Sequence, residues 1–184
     1  MATFTRRTAL TTTLLAASAA LAGCQTAHST SPSGDMSPDD LDFVTNAFNI
    51  IEFDRQECTI AQTQARTPEV RAIAVQLLQQ ANDFDARLRP IAASAGIKPP
   101  TVLRTDLRVR AARLRLGQGL DFDRVFIDDQ IVSHQDALNL QGMVTGTTGS
   151  NPQLQALSRQ GTDIISANLA KLHDLQARMR TMRG

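Results

Sequence analysis

The chain has no tryptophan and no tyrosine, and its seven phenylalanines are its only aromatic rings besides three histidines. That removes the usual stacking platforms for nucleic-acid bases, and with them a nucleic-acid-binding role. It also removes a tyrosyl radical. Glutamate is scarce: only Glu52, Glu57 and Glu69 occur, all in or near the first helical hairpin. A carboxylate-bridged di-iron bundle draws Glu from two helices and Glu-x-x-His from two others. Here Ile131 stands three residues before His134 and Ala170 three before His173, so that centre is excluded. Phosphate-cradling glycine loops, a nucleophile elbow and a spaced Cys/His zinc pattern are missing as well, so no catalytic set is expected and the chain reads as a non-enzyme.

Cysteine is nearly absent, and the place of the first one is informative. Arg6 and Arg7 precede a small, mostly apolar run, Ala9 to Gly23, too short to cross a bilayer. The run ends in Leu21-Ala22-Gly23-Cys24, which resembles the processing box of a bacterial lipoprotein. The resemblance implies that residues 1–23 are a cleaved signal and that Cys24 is lipidated, anchoring the protein to a membrane. Gln25 at the next position implies sorting to the outer membrane, facing the periplasm. Thr5-Arg6-Arg7-Thr8-Ala9-Leu10 resembles a twin-arginine signal, and an ordinary Sec signal fits equally.

With Cys24 acylated, Cys58 would be left alone and unable to form an internal disulfide. It falls on an apolar helix face, the place of a small buried hydrophobe; an intermolecular disulfide or a reactive thiol is the alternative. Two of the nineteen basic residues lie before Cys24 and none of the eighteen acids does, so the remainder carries a net charge of −1. That balance gives no reason to expect a polyanion partner.

Residues 24–36 form a lipid-anchored tether of Gln, Thr, Ala, His, Ser, Pro, Gly, Asp and Met without apolar periodicity; twelve such residues span roughly 20 Å. A helical domain over residues 37–182 follows. Ser37-Pro38-Asp39-Asp40 presents a cap, a proline at the first position and acids in the first turn, and starts a helix running to about Ala65. Val44, Ala47, Ile51, Cys58 and Ala61 share one face of it. Thr67-Pro68-Glu69 starts a second helix with a stripe of Val70, Ile73, Ala74, Leu77, Ala81, Phe84 and Leu88; Pro90 should kink it or loosen its last turn, and Gly96 closes it. Asp121 is expected to cap a third long helix ending near residues 146–149. Asn151-Pro152 opens a fourth, with Leu154, Leu157, Ile164, Ile165, Leu172 and Leu175 inward. The fold class is all-α: a ferritin-like four-helix bundle of two antiparallel hairpins joined by a long crossover.

The crossover carries a short helix with Arg104, Arg108, Arg110, Arg113 and Arg115 around Leu103, Leu107, Val109 and Leu114. Five arginines in twelve residues could bind an anionic envelope component; the other reading is a solvated helix paired with acids on its neighbours.

Phe43-Val44 through Ala61, Thr67-Pro68-Glu69-Val70, Leu120-Asp121-Phe122-Asp123 and Val132-Ser133-His134, in that order and spacing, resemble a bacterial family of outer-membrane and periplasmic proteins, the domain of unknown function 4142, over roughly residues 41–175. The resemblance implies a ferritin-like fold and no established activity. It also implies a set of inward polar residues able to bind a metal: an acid at Asp54, an Asp-His pair at Gln80 and Ala81, a His at His134 and a His at Asn168, with the family's Leu-Pro replaced by Thr162-Asp163. Two ligands of that set remain, so no cofactor is expected, a weakly bound transition metal being the alternative.

Helical projection independently places Asp54, Asp129, Ser133 and Asn168 near the middle of apolar faces, with His134 to the side beside Ile127 and Leu138. Buried carboxylates must be hydrogen-bonded, paired with arginine or bound to a cation. Asp54, Asp129 and His134 are the metal candidates, against a polar layer that fixes helix register. The expected function is that of a lipid-anchored envelope protein acting by interaction or in stress tolerance.

Overall fold

The computed structural model describes residues 36–148 and 150–182. Among them there are five helices and no strand: α1 (Pro38–Gln64), α2 (Pro68–Ser94), α3 (Thr105–Leu116), α4 (Gly119–Gly146) and α5 (Pro152–Thr181). They form an all-helical bundle. No described helix is long and apolar enough to cross a membrane.

Local chemistry sets the ends. Ser37 and Asp40 form a reciprocal cap at the start of α1: the Asp40 amide donates to Ser37 Oγ at 3.1 Å and the Ser37 amide to Asp40 Oδ2 at 2.9 Å. Thr67 caps α2, and Asn151 caps α5 by accepting the amides of Gln153 and Leu154. Pro90 lies inside α2, which continues past it to Ser94. Gly96 then takes φ +72°, a left-handed conformation that ends helices with little strain only for glycine.

At α4 the expected cap is corrected. The helix begins at Gly119, Gln118 holds the cap position without a side-chain bond, and Asp121 sits in the first turn paired with Arg124 at 3.1 Å. Gly119 has φ +58°, which lets the chain turn from α3 into α4 three residues earlier than an aspartate cap would.

A three-residue connection joins α1 to α2, so these two must run antiparallel, and α4 and α5 are joined by a connection of five residues. α1 packs on α2 and α4, α5 on α4 and α2, while α3 lies across α1 and α4. The apolar faces expected in α1 and α2 are largely as read: Val44, Ala47, Ile51, Cys58, Ala61, Val70, Ile73, Ala74, Leu77 and Leu88 are buried. Two positions differ. Ile164 is 40% exposed and Val109 64% exposed. α3 seats Leu107, Ala111 and Leu114, one or two turns apart, which turns Val109 outward.

The buried apolar residues fall into two main clusters. One, near the α1–α2 turn, holds Cys58, Ala61, Leu77, Phe126, Ile131 and Leu172 among others. The second, toward the opposite end, holds Phe43, Phe48, Leu88, Leu140 and Leu157. In each of the four long helices a polar residue stands between them: Asp54, Gln80, Ser133 with His134, and Asn168.

Candidate functional site: a polar layer beside a cavity

One amide network runs across this layer, and its direction can be derived. Lys171 Nζ can only donate, so the Gln76 atom 2.9 Å away is the carbonyl oxygen, Oε1. Gln76 Nε2 is therefore the end facing Asn168, 3.0 Å from its Oδ1. Asn168 Nδ2 is left to donate to Gln80 Oε1 at 2.8 Å and to face His134 Nε2 at 3.3 Å. The imidazole accepts through Nε2 and donates Nδ1–H to the Gln130 carbonyl at 3.0 Å. α2, α5 and α4 are thereby locked in register by side chains that apolar residues could not replace one at a time.

Beside it, Ser133 Oγ donates to Asp54 Oδ1 at 2.7 Å, joining α4 to α1. Burial pushes the Asp54 carboxyl above its ordinary value, an effect the Ser133 bond partly offsets. Glu57, one turn further along α1, is fully buried, and Gln130 Nε2 donates to its Oε2 at 3.0 Å. Burial first, and the nearby Asp129 carboxylate second, push Glu57 up to about 9, so it is a neutral acid at pH 7. Its Oε1, Asp129 Oδ2 and Gln130 Oε1 have no protein partner.

Asp129 faces a different side. Its Oδ1 lies 2.7 Å from Arg113 Nη2 and 3.3 Å from Arg110 Nε, both on α3. The Arg110 guanidinium also stacks 4.6 Å over the Phe53 ring. α3 is thus bolted to the bundle through a buried carboxylate, one of the three outcomes open to an inward aspartate. Arg104, at the cap position of α3, pairs with Asp106 in its first turn at 3.0 Å, while Arg108 and Arg115 contact the neutral Thr105 and Gln56.

Next to the amide network lies a cavity of about 130 Å³ between α1, α2, α4 and α5. Asp54, Gln80, His134 and Asn168 all line it, so the four positions aligned by resemblance do converge. Asp129 is not among its walls. His134 also departs from expectation: it is 6% exposed and part of the layer, not at its side, because α5 covers that flank of α4.

Reading from sequence missed Glu57, Gln130 and Gln141 as interior polar residues. Glu57 had a usable signal, since it follows Asp54 by three and precedes Ala61 by four. Cys58 is buried and free among the described residues, and burial pushes its thiol well above the ordinary value. Cys24 and the tether lie outside the described residues.

The donor set does not fit a transition metal at Asp54, Asp129 and His134. Asp129 points to arginines, His134 Nε2 meets an amide donor, and among the described residues no three His, Cys, Asp or Glu side chains gather closely enough to share an ion.

The order of helices, the polar layer and the turns that carry the quoted motifs define a bacterial helical-bundle domain. The chain belongs to the family described as a domain of unknown function, DUF4142, which matches residues 25–175. No curated protein matches it. Among solved structures it is similar to a crystal structure of a DUF305 fragment from Deinococcus radiodurans, with a TM-score of 0.69 at 14% identity, covering 78% of this chain and 98% of that one. At that identity the likeness concerns the fold alone.

Proposed function

We propose that this is a lipid-anchored envelope domain, tethered through Cys24 to the outer membrane, that acts by binding and not by turnover. The observation that carries the reading is the state of the interior polar groups. Asp54 is tied to Ser133, Asp129 to two arginines and His134 to an amide on one side and a carbonyl on the other. A general base or nucleophile needs a lone pair directed at a substrate, and this arrangement directs those lone pairs at neighbouring helices. The ion pairing of Arg104, Arg110 and Arg113 likewise favours α3 as a strut over α3 as a platform for an anionic envelope component.

The finer architecture belongs to the same reading: two antiparallel hairpins, α1–α2 and α4–α5, joined by the α3 crossover, in a ferritin-like arrangement. It is supported by the short turns within each hairpin and by the packing of α1 on α4 and α5 on α2.

Labelling of cells with a palmitate analogue tests the anchor. Label is expected on the wild-type chain and not on Cys24→Ala, and an unlabelled wild type would refute it. Turnover of any substrate by the purified protein, abolished by Asp54→Ala, would refute the non-enzymatic reading.

A further inference from the structure

To brace the bundle, α3 needs only its inward residues Leu107, Ala111 and Leu114. Its outward side is nonetheless apolar. Val109 is 64% and Leu116 84% exposed; seven residues separate them, so they share one face, with exposed Ala112 between. Val102, just ahead of the helix, is 61% exposed. On the four long helices the most open large apolar side chain, Val75 of α2, reaches only 52%. A contiguous apolar ridge held in water marks a surface that meets something else.

The charge beside the ridge narrows what that is. Arg108 and Arg115, also seven residues apart, line one flank of it. Among the described residues neither guanidinium reaches a carboxylate. Arg108 donates to Thr105 Oγ1 at 3.3 Å and Arg115 to Gln56 Oε1 at 3.4 Å, Gln56 in turn donating to Glu52 at 3.0 Å. The pairing that makes α3 a strut occupies Arg104, Arg110 and Arg113, so the ridge and this flank do not draw on it.

We propose that the outward face of α3 is the side on which the domain lies against an anionic phospholipid surface, with Val109, Ala112 and Leu116 in the interfacial zone and Arg108 and Arg115 reaching the phosphates. An apolar face with arginines at its edge is what such a zone takes up, because the long side chains bury their stems and keep their charge at the headgroups. A second copy of this chain fits worse. The twelve residues of α3 make a helix about 18 Å long and 10 Å across, well short of the roughly 800 Å² that each partner gives a stable interface. Two such faces would also set arginine against arginine. The position of α3 suits a chain held at Cys24. Arg104 at its head donates to Asn46, eight residues into α1 and about 12 Å along that helix. The sequence between Cys24 and Met36 can span roughly 20 Å. The face deepens the envelope reading and rests on it only for bringing the chain to a bilayer.

The chain has no tryptophan, so one introduced residue reports alone. The full chain carrying Leu116→Trp is mixed with vesicles of phosphatidylethanolamine and phosphatidylglycerol with brominated acyl chains, and emission is read on the fraction that floats. Residue 116 is expected to shift to the blue and be quenched, while Val75→Trp stays in water. Adding Arg108→Gln and Arg115→Gln, or using neutral phosphatidylcholine, should weaken seating about tenfold or more. With Val109→Trp as reporter, Leu116→Ser should reduce the quenching. No quenching at residue 116, equal quenching at residue 75, or a chain that does not float overturns the proposal. A shift at residue 116 that follows protein concentration without lipid overturns it in favour of a second copy. Palmitate labelling reports the anchor separately. An unlabelled chain that still seats residue 116 loses the anchor and keeps this face, and a labelled, floating chain with residue 116 in water does the reverse.

Discussion

Asp123, fully buried near the start of α4, accepts both backbone amides of the α1–α2 turn: its Oδ1 lies 2.8 Å from Arg66 N and its Oδ2 2.9 Å from Thr67 N. The two sequence motifs that flag this family, Thr67-Pro68-Glu69-Val70 and Leu120-Asp121-Phe122-Asp123, are therefore halves of one contact. Asp123→Asn keeps the shape but turns one acceptor into a donor facing an N–H. It is expected to cost about 1–3 kcal/mol of stability by urea unfolding. A variant as stable as the wild type would show that the turn holds itself.

Glu57 should make the protein less stable in alkali. Its folded-state pKa, about 9, lies above the ordinary value of 4.5, so the folded form holds its proton more tightly than the unfolded chain does. The stabilising contribution is complete below pH 4.5 and is lost as pH rises toward 9, and Asp54, also raised, acts in the same direction. Glu57→Gln, which cannot ionise, is expected to flatten that decline and to exceed the wild type at pH 8 by on the order of a few kcal/mol. Parallel melting curves for the two proteins across pH 5–9 would contradict it.

The two arginines on Asp129 should not be equivalent. The Arg110 side chain is 19% exposed and packs on Phe53, whereas that of Arg113 is 59% exposed. Arg110→Met is expected to cost about 3 kcal/mol because it strips partners from a buried carboxylate. Arg113→Met should cost about 1 kcal/mol or less, as for an exposed pair. Chemical denaturation of both variants decides the order.

Cys58 should resist thiol reagents in the folded protein and react once it is unfolded, because its thiol is buried and held protonated. Rapid modification under native conditions would show that the bundle opens there.

Much of the bundle was legible because its helices announce their ends with Ser37-Pro38, Thr67-Pro68 and Asn151-Pro152, and because α1 and α2 each bury one continuous face. α4 was harder to read. It is flanked by α1, α3 and α5, so the covered arc is wider than one face, and that is why His134 and Gln130 are interior although Ser133 already marks the centre. The start of α4 was misread because a left-handed Gly119 does the work expected of an Asp121 cap. The cavity had no sequence signal, since it arises where α2 and α5 stand apart, a property of four helices at once.

Lys171 lies on the surface, yet its ammonium sets the outer end of the network in the sense that the amides of the layer share. Because it can only donate, Gln76, Asn168, Gln80 and His134 are oriented in sequence from solvent inward, ending on an imidazole nitrogen that must accept. The inner end of the chain is fixed as well, because the Gln130 carbonyl can only accept and so holds the proton on His134 Nδ1. Loss of the Lys171 charge, by acylation or by Lys171→Met, therefore removes one of two matching ends, and the carbonyl at the other end keeps the imidazole tautomer and the amides behind it as they are.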